Sequence, residues 1–240
     1  NNNAQGEYYL PDVLEILKNN NEKVGAFQLD NMDEALGVNN RVALAEATAI
    51  MRKRINEKHM TNGVTLVDPK ATYIEVDVEI ASDTVVEPNT YIKGRTKIGE
   101  DVLIGLGSVI EDSQIADGVE IKQSVIEESI IGKASDVGPH SHLRSGSVLG
   151  ENVHIGNYVE IKKSTIGDYS KAGHHTYIGD AEVGEHVNIG CGVVFANYNG
   201  KVKNKTVVGD HSFVGSNSNL VAPVALGQKS FIAAGSTITE

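Results

Sequence analysis

Residues 91–110 read YIKGRTKIGEDVLIGLGSVI, with an isoleucine at every sixth position from Ile92 to Ile110. The same spacing, broken by a few shorter steps and one longer gap, runs from Ile74 to Ile238. An α-helix repeats about every 3.6 residues and a simple strand about every 2, so neither produces this spacing. A chain wound into triangular coils does, because each six-residue unit makes one short strand and one turn. The spacing therefore predicts a mainly β fold, a parallel β-helix of hexapeptide repeats.

Glycine often follows the aliphatic residue of a repeat, as in Ile98-Gly99, Ile104-Gly105 and Ile155-Gly156. Such glycines indicate either unusual backbone torsion angles or a close approach of two backbone segments. A β-sandwich with short strands is the alternative architecture. It does not require more than twenty aliphatic positions to share nearly one register, as they do here.

The repeat has one long interruption, between Phe195 and Val208, which are thirteen residues apart. The inserted segment carries Lys201, Lys203 and Lys205. A loop that leaves a regular solenoid is a usual place for function, and its lysines favour an anionic ligand. A charged loop that only faces solvent is the alternative.

Composition limits the classes of function. The 240 residues carry a formal net charge of −11, from 21 basic and 32 acidic side chains, which argues against nucleic acid as the main partner. The single cysteine argues against a disulfide framework and fits a reducing compartment. No signal peptide and no apolar run long enough to span a bilayer is recognisable, so a cytoplasmic protein without a membrane span is expected.

Residues 1–60 lie outside the repeat. They predict a short helix, a strand over 24–29 and a long helix capped by Asn39 or Asn40. This region is too short for a complete α/β domain, so we expect it to be the end of a domain whose beginning is absent. Residues 61–240 are predicted to form the β-helix domain.

Two cations should stand on one edge of the coil. Arg144 and Lys162 lie eighteen residues apart, which is about one coil. Stacked in this way they would form a seat for a phosphate group. Charged side chains that simply face water are the alternative.

Histidines supply the candidate acid–base chemistry. A neutral imidazole at His174 can take a proton near neutral pH, although a surface histidine without a role is the commoner case. The neighbouring His175 cannot be distinguished from it by sequence. Histidines 140, 142 and 154 raise the possibility of a shared zinc ion, which no cysteine or carboxylate cluster supports.

Short motifs along the chain are Gly6-Glu7-Tyr8-Tyr9, Gly37-Val38-Asn39-Asn40-Arg41, Leu143-Arg144, Glu160-Ile161-Lys162-Lys163, Ser170-Lys171-Ala172-Gly173-His174, Gly179-Asp180, Asn197-Tyr198 and Leu220-Val221-Ala222-Pro223. With them the chain resembles, over essentially its whole length, the bacterial bifunctional N-acetylglucosamine-1-phosphate uridylyltransferase/glucosamine-1-phosphate acetyltransferase family. The resemblance implies that residues 1–60 end the uridylyltransferase domain and include a linker helix. It also implies that residues 61–240 are a left-handed β-helix acetyltransferase domain, active as a homotrimer.

The resemblance also implies roles for single residues. His174 is expected to be the general base. Arg144 and Lys162 are expected to bind the sugar phosphate, and Tyr177 and Asn188 the amino sugar. The residues expected to contact acetyl-CoA or nearby anionic groups are Cys191, Asn197, Tyr198, Lys203, Ser216 and Ala234. The family often has alanine at the position of the cysteine.

The implied reaction is acetyl transfer from acetyl-CoA to the amine of glucosamine-1-phosphate, in UDP-N-acetylglucosamine synthesis for peptidoglycan and other cell-envelope polymers. Asn39 resembles a magnesium ligand of the intact uridylyltransferase domain. The nucleotide loop of that domain is missing, so no uridylyl transfer by this chain is expected. The family's short tail after Glu240, which supplies a basic residue to acetyl-CoA, is also missing, and weaker cofactor binding is expected. Another hexapeptide-repeat acyltransferase, a zinc hydratase like one class of carbonic anhydrase, and a non-catalytic scaffold stay open.

Overall fold

The computed structural model describes Gly6 and residues 8–239. Residues 1–5, Glu7 and Glu240 lie outside the described residues, so the first motif is described only in part. Within the described part of the chain, no helix combines the length and the apolar character needed to cross a bilayer. The chain divides into two compact units between Thr48 and Ala49. The domain boundary predicted near residue 60 stays a prediction.

Helices occur before the coils begin. They are α1 (Asp12–Asn19), a 3₁₀ helix (Met32–Ala35) and α2 (Arg41–Thr61). Of the two asparagines predicted to cap α2, the structure identifies Asn40, whose Oδ1 accepts a hydrogen bond from the Ala43 N–H at 2.9 Å. This bond satisfies one of the backbone donors that the first helical turn leaves unpaired.

The strand predicted over 24–29 is wrong. These residues are exposed and form no strand. A strand is stable only beside a neighbour that pairs with its backbone, and none of the described residues supplies one here. The apolar pattern of the segment is real, but a pattern alone does not provide that partner.

The coils form three faces of parallel strands, as the six-residue spacing predicted. Face 1 consists of β1 (Thr65–Leu66), β4 (Val85–Val86), β7 (Leu103–Ile104), β10 (Glu120–Ile121), β13 (Asp136–Val137), β20 (Asn188–Ile189), β23 (Phe213–Val214) and β26 (Phe231–Ile232). Face 2 consists of β2 (Tyr73–Ile74), β5 (Tyr91–Lys93), β8 (Val109–Glu111), β11 (Val125–Glu127), β14 (His142–Arg144), β21 (Val194–Ala196), β24 (Asn219–Val221) and β27 (Thr237–Ile238). Face 3 consists of β3 (Glu79–Ile80), β6 (Lys97–Ile98), β9 (Gln114–Ile115), β12 (Ile130–Ile131), β15 (Val148–Leu149), β17 (Thr165–Ile166), β19 (Ala181–Val183), β22 (Thr206–Val208) and β25 (Val224–Leu226).

Two longer strands, β16 (His154–Lys162) and β18 (Lys171–Gly179), run around the corner from face 1 to face 2. Elsewhere the strands are two or three residues long, so most of each coil is turn. The corner between faces 1 and 2 is therefore the place where paired backbone is continuous, and side chains there have fixed neighbours in the next coil.

The repeating aliphatic residues fill the inside of the coils. Ile92, Ile104 and Ile121 are fully buried, and the last of the series, Ile232 and Ile238, are partly buried against the same core. Each side chain stacks on its equivalent one coil away, which removes nearly all its apolar surface from water. The predicted fold class, a mainly β parallel β-helix of hexapeptide repeats, is confirmed.

The glycines that follow the aliphatic residues are required by close approach of successive coils. A Cβ atom on Gly156 would overlap the carbonyl oxygen of Gly173, and one on Gly190 would lie 2.6 Å from the Ser216 nitrogen. Neither Gly156 nor Gly190 has a positive φ. Of the two explanations predicted for these glycines, close approach is therefore the correct one here.

Buried hydroxyl groups connect successive coils, a feature that the aliphatic spacing did not reveal. The Ser141 Oγ donates to the Gly156 carbonyl oxygen at 2.5 Å and accepts from the Val159 N–H at 3.1 Å. Serine and threonine satisfy buried backbone groups in this way at the turns, where strand pairing stops.

Candidate active site

Polar and small side chains form a line along the corner between faces 1 and 2. Asn157 of β16 pairs with His174 of β18. The register of the strand pairs on both sides of the corner continues this line through Cys191, Ser216 and Ala234. We call these five residues the His174 column. Successive coils are about 4.8 Å apart, so the imidazole is followed along the coil axis by three much smaller side chains.

The His174 imidazole has a defined orientation. Its Nδ1 lies 2.9 Å from the Asn157 Oδ1. An amide oxygen only accepts hydrogen bonds, so Nδ1 donates and Nε2 keeps its lone pair. The side chain is exposed, and Nε2 has no hydrogen-bond partner among the described residues. This nitrogen can therefore take a proton from a ligand.

His175 has a different environment, which separates it from its neighbour. Its backbone has a φ of 45°, at the corner itself. Its ring lies 5.1 Å from the Tyr158 ring, which in turn lies 5.4 Å from the His140 ring. His175 thus contacts the Tyr158 ring in a tilted arrangement, whereas His174 contacts an amide oxygen.

The zinc alternative receives no support from the side-chain arrangement. Histidine, cysteine and carboxylate side chains within residues 6 and 8–239 form no group of three or more placed to hold a metal ion. His142 instead pairs with Glu127 at 2.9 Å, and His154 with Asp136 at 2.7 Å.

A cluster of cations stands on face 2 beside the His174 column. Arg144 pairs with Lys162 in the strand register, as their spacing predicted, and its Nη1 forms an ion pair with the Glu160 Oε1 at 2.7 Å. Contact with Lys203 lowers the pKa of the Lys162 ammonium, and Arg144 lowers it further. The pKa of Lys203 is raised by its contact with Lys162 and also by the negative charge of Asp180. Three carboxylates, Glu127, Glu160 and Asp180, stand beside these three basic side chains.

The inserted loop is a small hairpin that carries Lys203. Tyr198 and Lys203 form an antiparallel bridge, and the Asn204 N–H donates to the Asn197 carbonyl oxygen at 2.7 Å. At the tip, the Asn199 side chain accepts from two backbone N–H groups. The loop is therefore closed on itself, and it presents a lysine to face 2.

Asn197 connects the base of this loop to β18. Its Nδ2 donates to the Asp180 Oδ2 at 2.5 Å and lies 3.3 Å from the Tyr177 Oη. Gly179 makes room for both neighbours, because a Cβ there would overlap the Tyr177 Oη and lie 2.7 Å from the Asn197 Nδ2. The structure thus brings Tyr177 and Asn197 together next to the cation cluster.

Two predicted residues stand apart from this group. Asn188 lies on face 1, paired with Lys171 and Phe213, and the corner separates it from Tyr177 on face 2. Asn39 is exposed in the first unit. One amide oxygen does not make a magnesium site, since that ion takes six oxygen ligands and no metal-binding cluster is found in the described part of the chain.

Three partners were missed at the sequence level: Asn157, Glu160 and Asp180. Glu160 and Asp180 stand inside recognised motifs, without a role assigned to them. Asn157 lies seventeen residues before His174, one fewer than the step of eighteen that predicted the pairing of Arg144 with Lys162.

Comparison with known proteins shows what this chain is similar to. A model described as the GMPPB C-terminal domain matches residues 70–166, and one described as a hexapeptide repeat of succinyl-transferase matches residues 205–240. The bifunctional protein GlmU of Shouchella clausii is 55% identical over all 240 residues, which cover 53% of that relative. The bifunctional protein GlmU of Enterococcus faecalis is 57% identical over 225 residues, which are 94% of this chain and 49% of the relative. The chain spans about half the length of the curated relatives it matches.

Among solved structures, the UDP-N-acetylglucosamine acyltransferase from Campylobacter jejuni is similar over 67% of each chain, with 18% identity and a TM-score of 0.45. A likeness of this strength carries no functional argument. The similarity to the two GlmU proteins extends over 94–100% of this chain.

Proposed function

Because this chain matches one part of the bifunctional GlmU proteins along its entire length, the family recognised from its motifs is confirmed, and on that premise we propose that its β-helix is a glucosamine-1-phosphate acetyltransferase. It would transfer the acetyl group of acetyl-CoA to the sugar amine, in the synthesis of UDP-N-acetylglucosamine for peptidoglycan and other cell-envelope polymers. The observation that carries the proposal is the open Nε2 of His174, held by Asn157 beside the cation cluster.

His174 serves as the general base in this proposal. The amine nitrogen attacks the thioester carbonyl carbon, and the His174 Nε2 takes a proton from the amine during this attack. The tetrahedral intermediate then collapses, the carbon–sulfur bond breaks, and the CoA thiolate leaves. A positioned general base contributes about 10²–10⁴-fold to such a reaction, and holding the two reactants in place contributes more.

The cation cluster selects the phosphate group of the sugar. Arg144, Lys162 and Lys203 would pair with its negative oxygens, and the Tyr177 hydroxyl would contact the sugar. A sugar without a phosphate group would not supply this additional anion. We therefore expect strong discrimination in favour of the phosphorylated acceptor.

The rest of the His174 column serves the cofactor. An extended acetyl-CoA molecule lying along the coil axis would pass Cys191, Ser216 and Ala234 in turn and reach the imidazole with its thioester. Asn197 and Tyr198, at the base of the inserted hairpin, would contact it from face 2. Small side chains along the column leave space for such a ligand.

A homotrimer completes the proposal. Asn188 and Tyr177 lie on different faces of one chain. Threefold packing would place face 1 of one subunit against face 2 of the next. Asn188 would then reach the sugar in a neighbouring subunit's site.

The single cysteine supports a cytoplasmic location. Uridylyl transfer with magnesium would need a uridylyltransferase domain, and residues 1–60 are proposed to be the end of one.

The test is CoA release on mixing the chain with acetyl-CoA and glucosamine-1-phosphate, followed with a thiol reagent. Glucosamine without phosphate is the matched control. We expect release with the phosphorylated sugar at least tenfold faster than with the control, the effect of about one strong charge-assisted contact. Equal rates with both sugars would contradict the phosphate role, and release only with another acceptor would favour a different hexapeptide-repeat acyltransferase.

A further inference from the structure

Asp180 contacts both ends of the inserted hairpin. Its Oδ2 accepts the Asn197 Nδ2–H at 2.5 Å, and its carbonyl oxygen accepts the Thr206 N–H at 3.2 Å. Its own N–H donates to the Lys162 carbonyl oxygen at 3.0 Å. One residue thus joins the start of the loop, the end of the loop and the strand that carries a phosphate-binding cation.

The contact with Asn197 is shielded from water. Asn197 is only 6% exposed, so its amide depends on protein partners. A hydrogen bond between a neutral amide and a carboxylate is stronger than one between neutral groups, and a buried polar group that loses its partner is costly. This bond therefore helps to hold the start of the hairpin, together with the backbone bond between the Asn204 N–H and the Asn197 carbonyl oxygen.

The hairpin controls where Lys203 stands. Tyr198 and Lys203 are bridged within the hairpin, so a shift at its base moves the lysine. Lys203 in turn contacts Lys162, which like charges do not do by themselves. The negative charge of Asp180 acts on both lysines, and the anchored hairpin keeps Lys203 within its reach.

We propose that Asp180 is a positioning residue that holds the hairpin so that Lys203 lies beside Lys162, and that it thereby sets the affinity for the phosphate group of the sugar. The inference rests on the proposed function for the identity of the ligand. The anchoring itself depends on the contacts alone.

Removal of the Asp180 charge and loss of the Asp180 anchor should change the affinity for an anion in opposite directions. Asp180 is negative and close to the phosphate-binding cations, so removal of its charge alone should strengthen anion binding. Loss of the anchor should weaken it. Asp180→Asn removes the charge and keeps an acceptor oxygen for Asn197, whereas Asp180→Ala removes both. Asp180 has a φ of 50°, so Asp101, with a φ of 55°, supplies matched Asn and Ala controls.

The measurement is the KM for glucosamine-1-phosphate, with kcat from the same data. We expect Asp180→Ala to raise KM about tenfold, the loss of one charge-assisted hydrogen bond, with a smaller change in kcat. Asp180→Asn should leave KM unchanged or lower it, and both Asp101 variants should match the parent. Equal effects of Ala and Asn at position 180 would overturn the proposal.

Hydrogen–deuterium exchange gives a readout that does not depend on activity. Backbone amides of residues 197–206 should exchange faster in Asp180→Ala than in Asp180→Asn or the parent chain. Unchanged exchange in the alanine variant would overturn the anchoring role. If the parent chain releases no CoA, the acetyltransferase proposal fails, and the exchange experiment still decides whether Asp180 anchors the hairpin.

Discussion

Two corners of the β-helix place a histidine against the next coil, and they differ in what that coil presents. At one corner Asn157 presents an amide oxygen to His174. At another, the His186 ring lies between Tyr169 and His211, with ring centroids 4.9 and 5.0 Å apart and the planes nearly parallel. The first arrangement orients a nitrogen toward a ligand, and the second covers the faces of the ring.

The difference teaches that a β-helix assigns a histidine its chemistry through the residue one coil away. His174 and His175 are adjacent in sequence, yet one has an amide partner and the other has the Tyr158 ring. A hydrogen-bonded imidazole has one defined tautomer, which is what a base needs. A stacked imidazole gains contact area, and its nitrogens are not selected in this way.

The largest effect should separate the two corners by function. His174→Ala removes the proposed base and should lower kcat for CoA release by about 10²–10⁴-fold, with the fold intact. His186→Ala removes a stacked ring of the same chemical type and should leave kcat within about twofold, since it holds no reacting atom. Steady-state rates with circular dichroism as the folding control would check both. A His174→Ala variant with an unchanged rate would contradict the role of His174 as the base, and with it the functional difference between the two corners.

The next effect concerns the close packing under the His174 corner. Gly156→Ala introduces a Cβ that overlaps the Gly173 carbonyl oxygen, next to His174. We expect the free energy of unfolding to fall by roughly 1–3 kcal/mol, the usual cost of overpacking, with a lower kcat as well. The midpoint of urea unfolding is the measurement.

Gly227→Ala is the matched control for that substitution. A Cβ at Gly227 has no atom within 4 Å, and its φ is not positive. This variant should be neutral or more stable by about 0.4–1 kcal/mol, because alanine restricts the unfolded chain. Equal destabilisation by the two variants would show that coil contact is not the reason for the glycine.

The smallest effect should come from the orienting amide. Asn157→Ala leaves the His174 Nδ1 without its acceptor and should lower kcat by about fivefold to tenfold, the value of one modest hydrogen bond. Asn157→Asp keeps an acceptor oxygen and should retain most of the activity at neutral pH. KM for acetyl-CoA should stay near that of the parent in both. If Asn157→Ala is as active as the unsubstituted chain, His174 does not need Asn157 to orient it.

Much of the fold could be predicted from the sequence because a buried stack repeats one requirement at every turn. Ile92 and Ile104 stand in equivalent environments, so their spacing reports the coil directly. Arg144 and Lys162 were predicted as neighbours by the same arithmetic. The strand over 24–29 failed because its pattern says nothing about a pairing partner.

The site was harder to predict because polar contacts depend on the length of each separate coil. The step is eighteen residues from Arg144 to Lys162 but seventeen from Asn157 to His174. A difference of one residue decides which side chains meet, and the aliphatic spacing tolerates either step. The pairing of Arg144 with Glu160 also depends on rotamers, which the sequence does not specify.

The hairpin between β21 and β22 has a consequence for how such chains can change in length. It adds seven residues to one coil, yet Ala181 still pairs with Thr206 and Val183 with Val208. An insertion that leaves the solenoid at a corner and returns to the same corner does not disturb the coils on either side. Insertions and deletions at this position can therefore alter what covers face 2 without refolding the core.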